Sequence, residues 1–112
     1  MRFLFLVFDD PQAAAALTDE QRHEYATAFR DYAVMLRDRG RYVDSAGLDD
    51  PATATVVRPG DGMVTDGPYA EATEHLGAFF HVECGDLDEA LTLAKEVPVA
   101  TGVRVEIRPT FS

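Results

Sequence analysis

From Met1 to Phe8 nearly every position is apolar on both alternating faces, which predicts a central β-strand ended by Asp9, Asp10 and Pro11. The alanine-rich run "QAAAAL" leans toward helix, but Thr18 and Gln21 form a T-x-x-Q capping box, and the main helix is expected to start there. Along it Tyr25, Phe29, Tyr32, Ala33 and Leu36 recur at helical spacing, with Glu24, Arg30, Asp31, Arg37 and Asp38 on the other side. Gly40 follows the basic last turn as a stop signal. A short mixed strand is expected at Tyr42 to Gly47. The runs "TATVVR" and "MVTDGP" around "PGDG" predict a β-hairpin, closed by a second turn at Asp66-Gly67-Pro68.

Leu76 to Cys84 carries the clearest strand pattern. Its even positions Leu76, Ala78, Phe80, Val82 and Cys84 are all apolar, as expected under a helical layer, while the odd positions His75, Gly77, Phe79, His81 and Glu83 are mixed. Asp86, with Glu89 three residues on, caps a second helix whose apolar stripe is read as Leu87, Ala90, Leu91 and Ala94, with Pro98 blocking continuation. A last strand is expected at Val103 to Ile107, with Val103, Val105 and Ile107 on one face and Arg104, Glu106 and Arg108 on the other.

Setting the hairpin aside as an insertion leaves the order β-α-β-β-α-β. That is the ferredoxin-like split βαβ arrangement of an α+β domain, with two helices over one face of an antiparallel sheet. The other face would carry Phe79 and one side of the first strand. A contiguous apolar patch of that kind is seldom left wet by a soluble monomer. Two copies pairing these faces form a dimeric α/β barrel, with a cavity between the sheets lined by the odd-position residues.

Composition narrows the picture further. The 112 residues fit a single domain, and a hydrophobic fraction of 46% suits a globular one. Twenty acidic against ten basic side chains give a formal charge of −10, which opposes contact with nucleic-acid phosphates and anionic membranes. No segment is long and apolar enough for a membrane span, and the first residues lack the features of a signal peptide. Cys84 is the only cysteine, read as a small buried hydrophobe, and a reducing cytoplasm is the expected compartment.

The run "TDGPYAEATEHLGAFFHVE" resembles the signature of the DGPF, or YCII-related, family, a D-G-P-F turn followed by A-E-T-K-E-Q-L-G-G-F. Asp66, Gly67, Pro68, Ala70, Glu71, Glu74, Leu76, Gly77 and Phe79 match it. Tyr69, Ala72, Thr73, His75 and Ala78 depart from it. The resemblance covers almost the whole chain. It implies a dimeric ferredoxin-like domain, often found beside or fused to extracytoplasmic-function sigma factors, with no settled activity. In the YciI-like branch a histidine on the first helix and an aspartate before a proline form a proposed catalytic pair. Here Val97 precedes Pro98 and His23 stands near the helix start, so that pair is not carried over.

Asp66 and Glu71 are the candidate acid–base residues, and Tyr69, Glu74, His75, Phe79 and His81 the candidate ligand-binding ones. Each has a plainer reading. Aspartate before glycine is also what a turn selects, and Glu71 or Glu74 can pair with Arg104 or Arg108. His75 and His81 share a strand face but stand roughly 20 Å apart at strand rise, so no single metal ion is held by both. Nucleotide, acyl-transfer and structural-zinc motifs are missing from the sequence, and no cofactor is expected. The expectation is a homodimer holding a small organic ligand between its sheets, with at most modest acid–base chemistry. The alternatives are an accessory protein of a sigma factor and, by fold analogy alone, a cofactor-free oxygenase.

Overall fold

A computed structural model describes residues 1–69, 72–98 and 103–111. The chain runs β1 (Arg2–Asp9), α1 (Pro11–Ala15), α2 (Asp19–Asp38), β2 (Tyr42–Gly47), a 3-10 turn (Pro51–Thr53), β3 (Thr55–Arg58), β4 (Met63–Asp66), β5 (His75–Glu83), α3 (Leu87–Ala94) and β6 (Arg104–Pro109). Four strands form one antiparallel sheet in the order β2-β5-β1-β6, while β3 and β4 make a separate two-stranded sheet. Without that hairpin the order is compatible with a ferredoxin-like α+β domain.

Local chemistry sets most of the boundaries. Thr18 and Gln21 close a reciprocal capping box at the start of α2, with Gln21 N–H donating to Thr18 Oγ1 at 3.1 Å and Thr18 N–H to Gln21 Oε1 at 2.9 Å. The alanine run does not join α2. Instead Asp10 accepts from Gln12 N–H at 2.9 Å, and Pro11 opens a separate short helix. Asp86 caps α3 by accepting from Glu89 N–H at 2.9 Å.

The core lies between the sheet and α2 and α3. Phe3, Phe5 and Val7 of β1 and Ala78, Phe80 and Val82 of β5 are buried beneath Tyr32, Ala33 and Leu36 of α2. Tyr32 packs edge-on against Phe80 at 4.9 Å, and its hydroxyl donates to the Leu93 carbonyl at 2.7 Å, tying α2 to α3. The expected stripe of α3 needs correction. Ala90, Leu93, Ala94 and Val97 are buried, whereas Leu87 and Leu91 are 50% and 41% exposed. The two small alanines let the helix approach closely, which turns Leu93 inward and carries the two larger leucines away.

On the opposite face Leu4, Leu6 and Phe8 of β1 stand beside Phe79 and His81 of β5, with Leu6 opposite Phe79 and Leu4 opposite His81. Arg104, Glu106 and Arg108 of β6 border this stripe on one side, and Asp44 and Ala46 of β2 on the other. Among the described residues no helix covers it, and its apolar side chains remain half-buried.

Candidate functional site

The sequence-derived candidates do not converge within one chain. Phe79 and His81 lie on the uncovered face, where His81 Nε2 is buried without a hydrogen-bond partner among the described residues. Asp66 ends β4 opposite Thr55 and is exposed. Tyr69 is 88% exposed. Glu74 is half-buried and stands 3.9 Å from Arg104, an ion pair with an exposed partner that adds little stability. Glu71 lies outside the described residues. His75 opens β5 opposite Asp9 and lines a cavity of about 340 Å³ with Asp49, Pro51 and Pro68. Among the described residues no group of three or more His, Cys, Asp or Glu is arranged to hold a metal ion.

The larger cavity, about 680 Å³, lies on the helical side at the end of the sheet. Val7 and Asp9 of β1, Leu76 to Ala78 of β5, α1, the first half of α2 and the loop Leu48–Pro51 enclose it. Its walls are mainly apolar, and the Leu48–Pro51 loop also borders the smaller cavity. Of the seven sequence-derived candidates, the six described ones are all missing from the lining of the larger cavity.

Asp9 is its chemical centre. A register shift between Val7 and Phe8 puts Val7 opposite Ala78 but Phe8 opposite Leu76, so β5 bulges at Gly77. The Asp9 carboxylate lies over that glycine. A Cβ built on Gly77 would sit 3.1 Å from Asp9 Oδ2, so any side chain there would crowd the carboxylate. Burial raises the Asp9 pKa above the ordinary aspartate value, and Asp10 pushes it further, against smaller opposing effects of its own backbone amide and His75. Tyr25 stands near it, with its hydroxyl pushed up to about 12, by burial first and by the Asp9 charge second.

The sign of the linkage is fixed by that direction. With its folded-state pKa above its unfolded one, Asp9 contributes full stability below the unfolded pKa and loses it as pH rises through the folded value. Ionisation of Asp9 therefore weighs against folding. Neither Asp9 nor Tyr25 stood out in the sequence. One reads as a strand terminator and the other as a core aromatic, and only the β1–β5 register joins them to a cavity. The thiol of buried Cys84 is pushed up by burial, consistent with an inert packing residue.

The YCII-related domain family matches residues 1–111. The chain belongs to the YCII-related family. It is also 31% identical over 120 residues to an uncharacterised protein of Rhizobium meliloti (strain 1021), an alignment covering 97% of this chain and 91% of that relative. In this YCII-related domain, the motif glycines have separate structural tasks. Gly67 N–H donates to the Ala54 carbonyl at 2.8 Å, and a Cβ at Gly67 would meet Ala54 Cβ at 2.9 Å, so the turn closes the inserted hairpin against its own start. Gly77 makes room for a carboxylate from the neighbouring strand.

Proposed function

We propose that this YCII-related protein is a homodimer that binds a small organic molecule in the cavity over Asp9, with the Asp9 carboxylate as the acid–base group. The observation that carries the reading is a half-buried carboxylate in the wall of a mainly apolar cavity of about 680 Å³, a volume suited to a small ligand. A carboxylate whose pKa is raised above the ordinary aspartate value is a stronger base than a free one. Dimerisation is a separate part of the proposal. It would pair the uncovered stripes of Leu4, Leu6, Phe8 and Phe79, placing Phe79 and His81 between two sheets as a dimeric α/β barrel. Asp66 and Glu74 then serve the turn and the pairing with Arg104, and His75 borders the ligand's surroundings through the smaller cavity.

Fragment soaking of crystals tests the site. Bound fragments are expected to cluster over Asp9 in the wild-type protein and to vanish from that place in Ala26→Trp, which fills the cavity from its exposed α2 wall. Fragments scattered over the surface, or an unchanged pattern in the filled variant, would count against the reading.

A further inference from the structure

Taking the cavity over Asp9 as the ligand site, its charges narrow the class of ligand. Among the described residues three acidic side chains border it, Asp9, Asp49 and Asp50, against the single guanidinium of Arg22, although Asp49 and Asp50 already accept from the Asp50 and Ala52 N–H groups at 2.7 and 2.9 Å. That guanidinium is already engaged. Arg22 donates to the Ala15 carbonyl at 3.3 Å and the Leu17 carbonyl at 3.0 Å from one nitrogen, and stands 3.5 Å from Asp19 through another. Arg22 thereby satisfies the carbonyl of Ala15, the last residue of α1, and that of Leu17 in the link to α2, and it is poorly placed to receive an anion. An anionic ligand would meet a net negative lining among the described residues, whose one cation is already partly offset by Asp19.

The Asp9 carboxylate is in the opposite position. Apart from its own backbone amide, no described group donates a hydrogen bond to it, although it is half-buried. Tyr25 beside it packs edge-on against Phe29 at 4.7 Å, so the same wall offers an electron-rich aromatic ring. Carboxylate, aromatic ring and a committed guanidinium together favour a cation, while Val7, Leu17, Phe29 and Leu76 provide a dry surface for the rest of the molecule. We infer that the cavity takes a protonated amine carried on an apolar body, its ammonium group donating to Asp9 beside the Tyr25 ring. A neutral alcohol can donate to the same carboxylate, but an ammonium group also supplies the missing charge and forms the stronger, charge-assisted bond.

The experiment is a calorimetric titration at neutral pH with 2-phenylethylamine, 2-phenylethanol and 3-phenylpropionate, which present similar bodies with cationic, neutral and anionic ends. The amine is expected to bind about tenfold more tightly than the alcohol, and the carboxylate to show no saturable binding. Asp9→Asn should weaken the amine about tenfold while leaving the alcohol within about threefold, and the retained alcohol binding shows that the variant is folded. Asp88→Asn, on α3 outside the cavity, should leave all three unchanged. If the alcohol or the carboxylate binds as tightly as the amine and Ala26→Trp abolishes that binding, the cavity stands as the ligand site and the amine class is overturned. If no probe binds up to millimolar concentration, or Ala26→Trp leaves binding unchanged, both the amine inference and the cavity reading fail.

Discussion

Replacing Phe5 by alanine should cost about 3–5 kcal/mol of folding stability, read as a lowered urea midpoint with an unchanged slope. Phe5 is 0% exposed, and its strand is hydrogen-bonded on both sides, with Phe80 opposite it on β5 and Ile107 on β6. Truncation removes most of a large side chain from the middle of the only extensive packed layer among the described residues, where helices and sheet have little freedom to collapse onto the gap. Against a total of roughly 5–15 kcal/mol for a domain of ordinary stability, this loss takes a large part of the margin. Leu87→Ala is the control. Leu87 is 50% exposed, so its replacement should change stability by about 0.5 kcal/mol or less. Equal effects at the two positions would mean that α3 packs through the stripe read from its sequence rather than through Ala90, Leu93 and Ala94.

Leu6→Glu should separate the proposed homodimer into folded single chains. Leu6 lies mid-strand on the face that no helix covers, opposite Phe79 on β5 and Glu106 on β6. In a single chain the new carboxylate reaches water, and the fold survives. In a dimer joined through this face each copy would bury an unpaired charge, which should weaken association by about a hundredfold or more. Light scattering after gel filtration, at micromolar concentration, should give twice the chain mass for the wild-type protein and the chain mass for Leu6→Glu. A wild-type protein that is already monomeric, or a variant that remains dimeric, rules out this face as the interface.

What the sequence disclosed divides along local and non-local lines. The Thr18–Gln21 box and the Asp86 cap depend on residues three apart, and both form as expected. The period of two correctly separates the buried face of β5 from the mixed one from Ala78 onward, because alternation is a property of the strand itself, but the bulge at Gly77 takes Leu76 out of that pattern, half-buried and opposite Phe8. The strand from Tyr42 to Gly47 and the hairpin around the 59–62 turn were legible from turn chemistry and β-propensity. The orientation of α3 was not, because two overlapping apolar stripes share Ala90 and Ala94, and only packing against the sheet chooses between them.

The site was harder to read for the same reason. The run "TDGPYAEATEH" draws attention because turn residues and titratable side chains crowd together there, yet Asp66 is exposed at the last position of β4 and Tyr69 at 88% is almost fully solvated. Asp9 is far in sequence from the β5 residues that frame it. Its environment arises from a bulge at Gly77, almost seventy residues away, and that bulge is visible only once β1 and β5 are paired. Gly77 had already been marked by its match to the family pattern. Its physical reason, room for a carboxylate, came from the register.

The account turns on Asp9 being held as a partly desolvated carboxylate over Gly77. Carbon-13 NMR titration of the side-chain carboxyl, assigned by the signal lost in Asp9→Asn, measures this directly. The account predicts a midpoint above that of a free aspartate side chain. A midpoint at or below the free value would show a solvated or ion-paired group, and would contradict it.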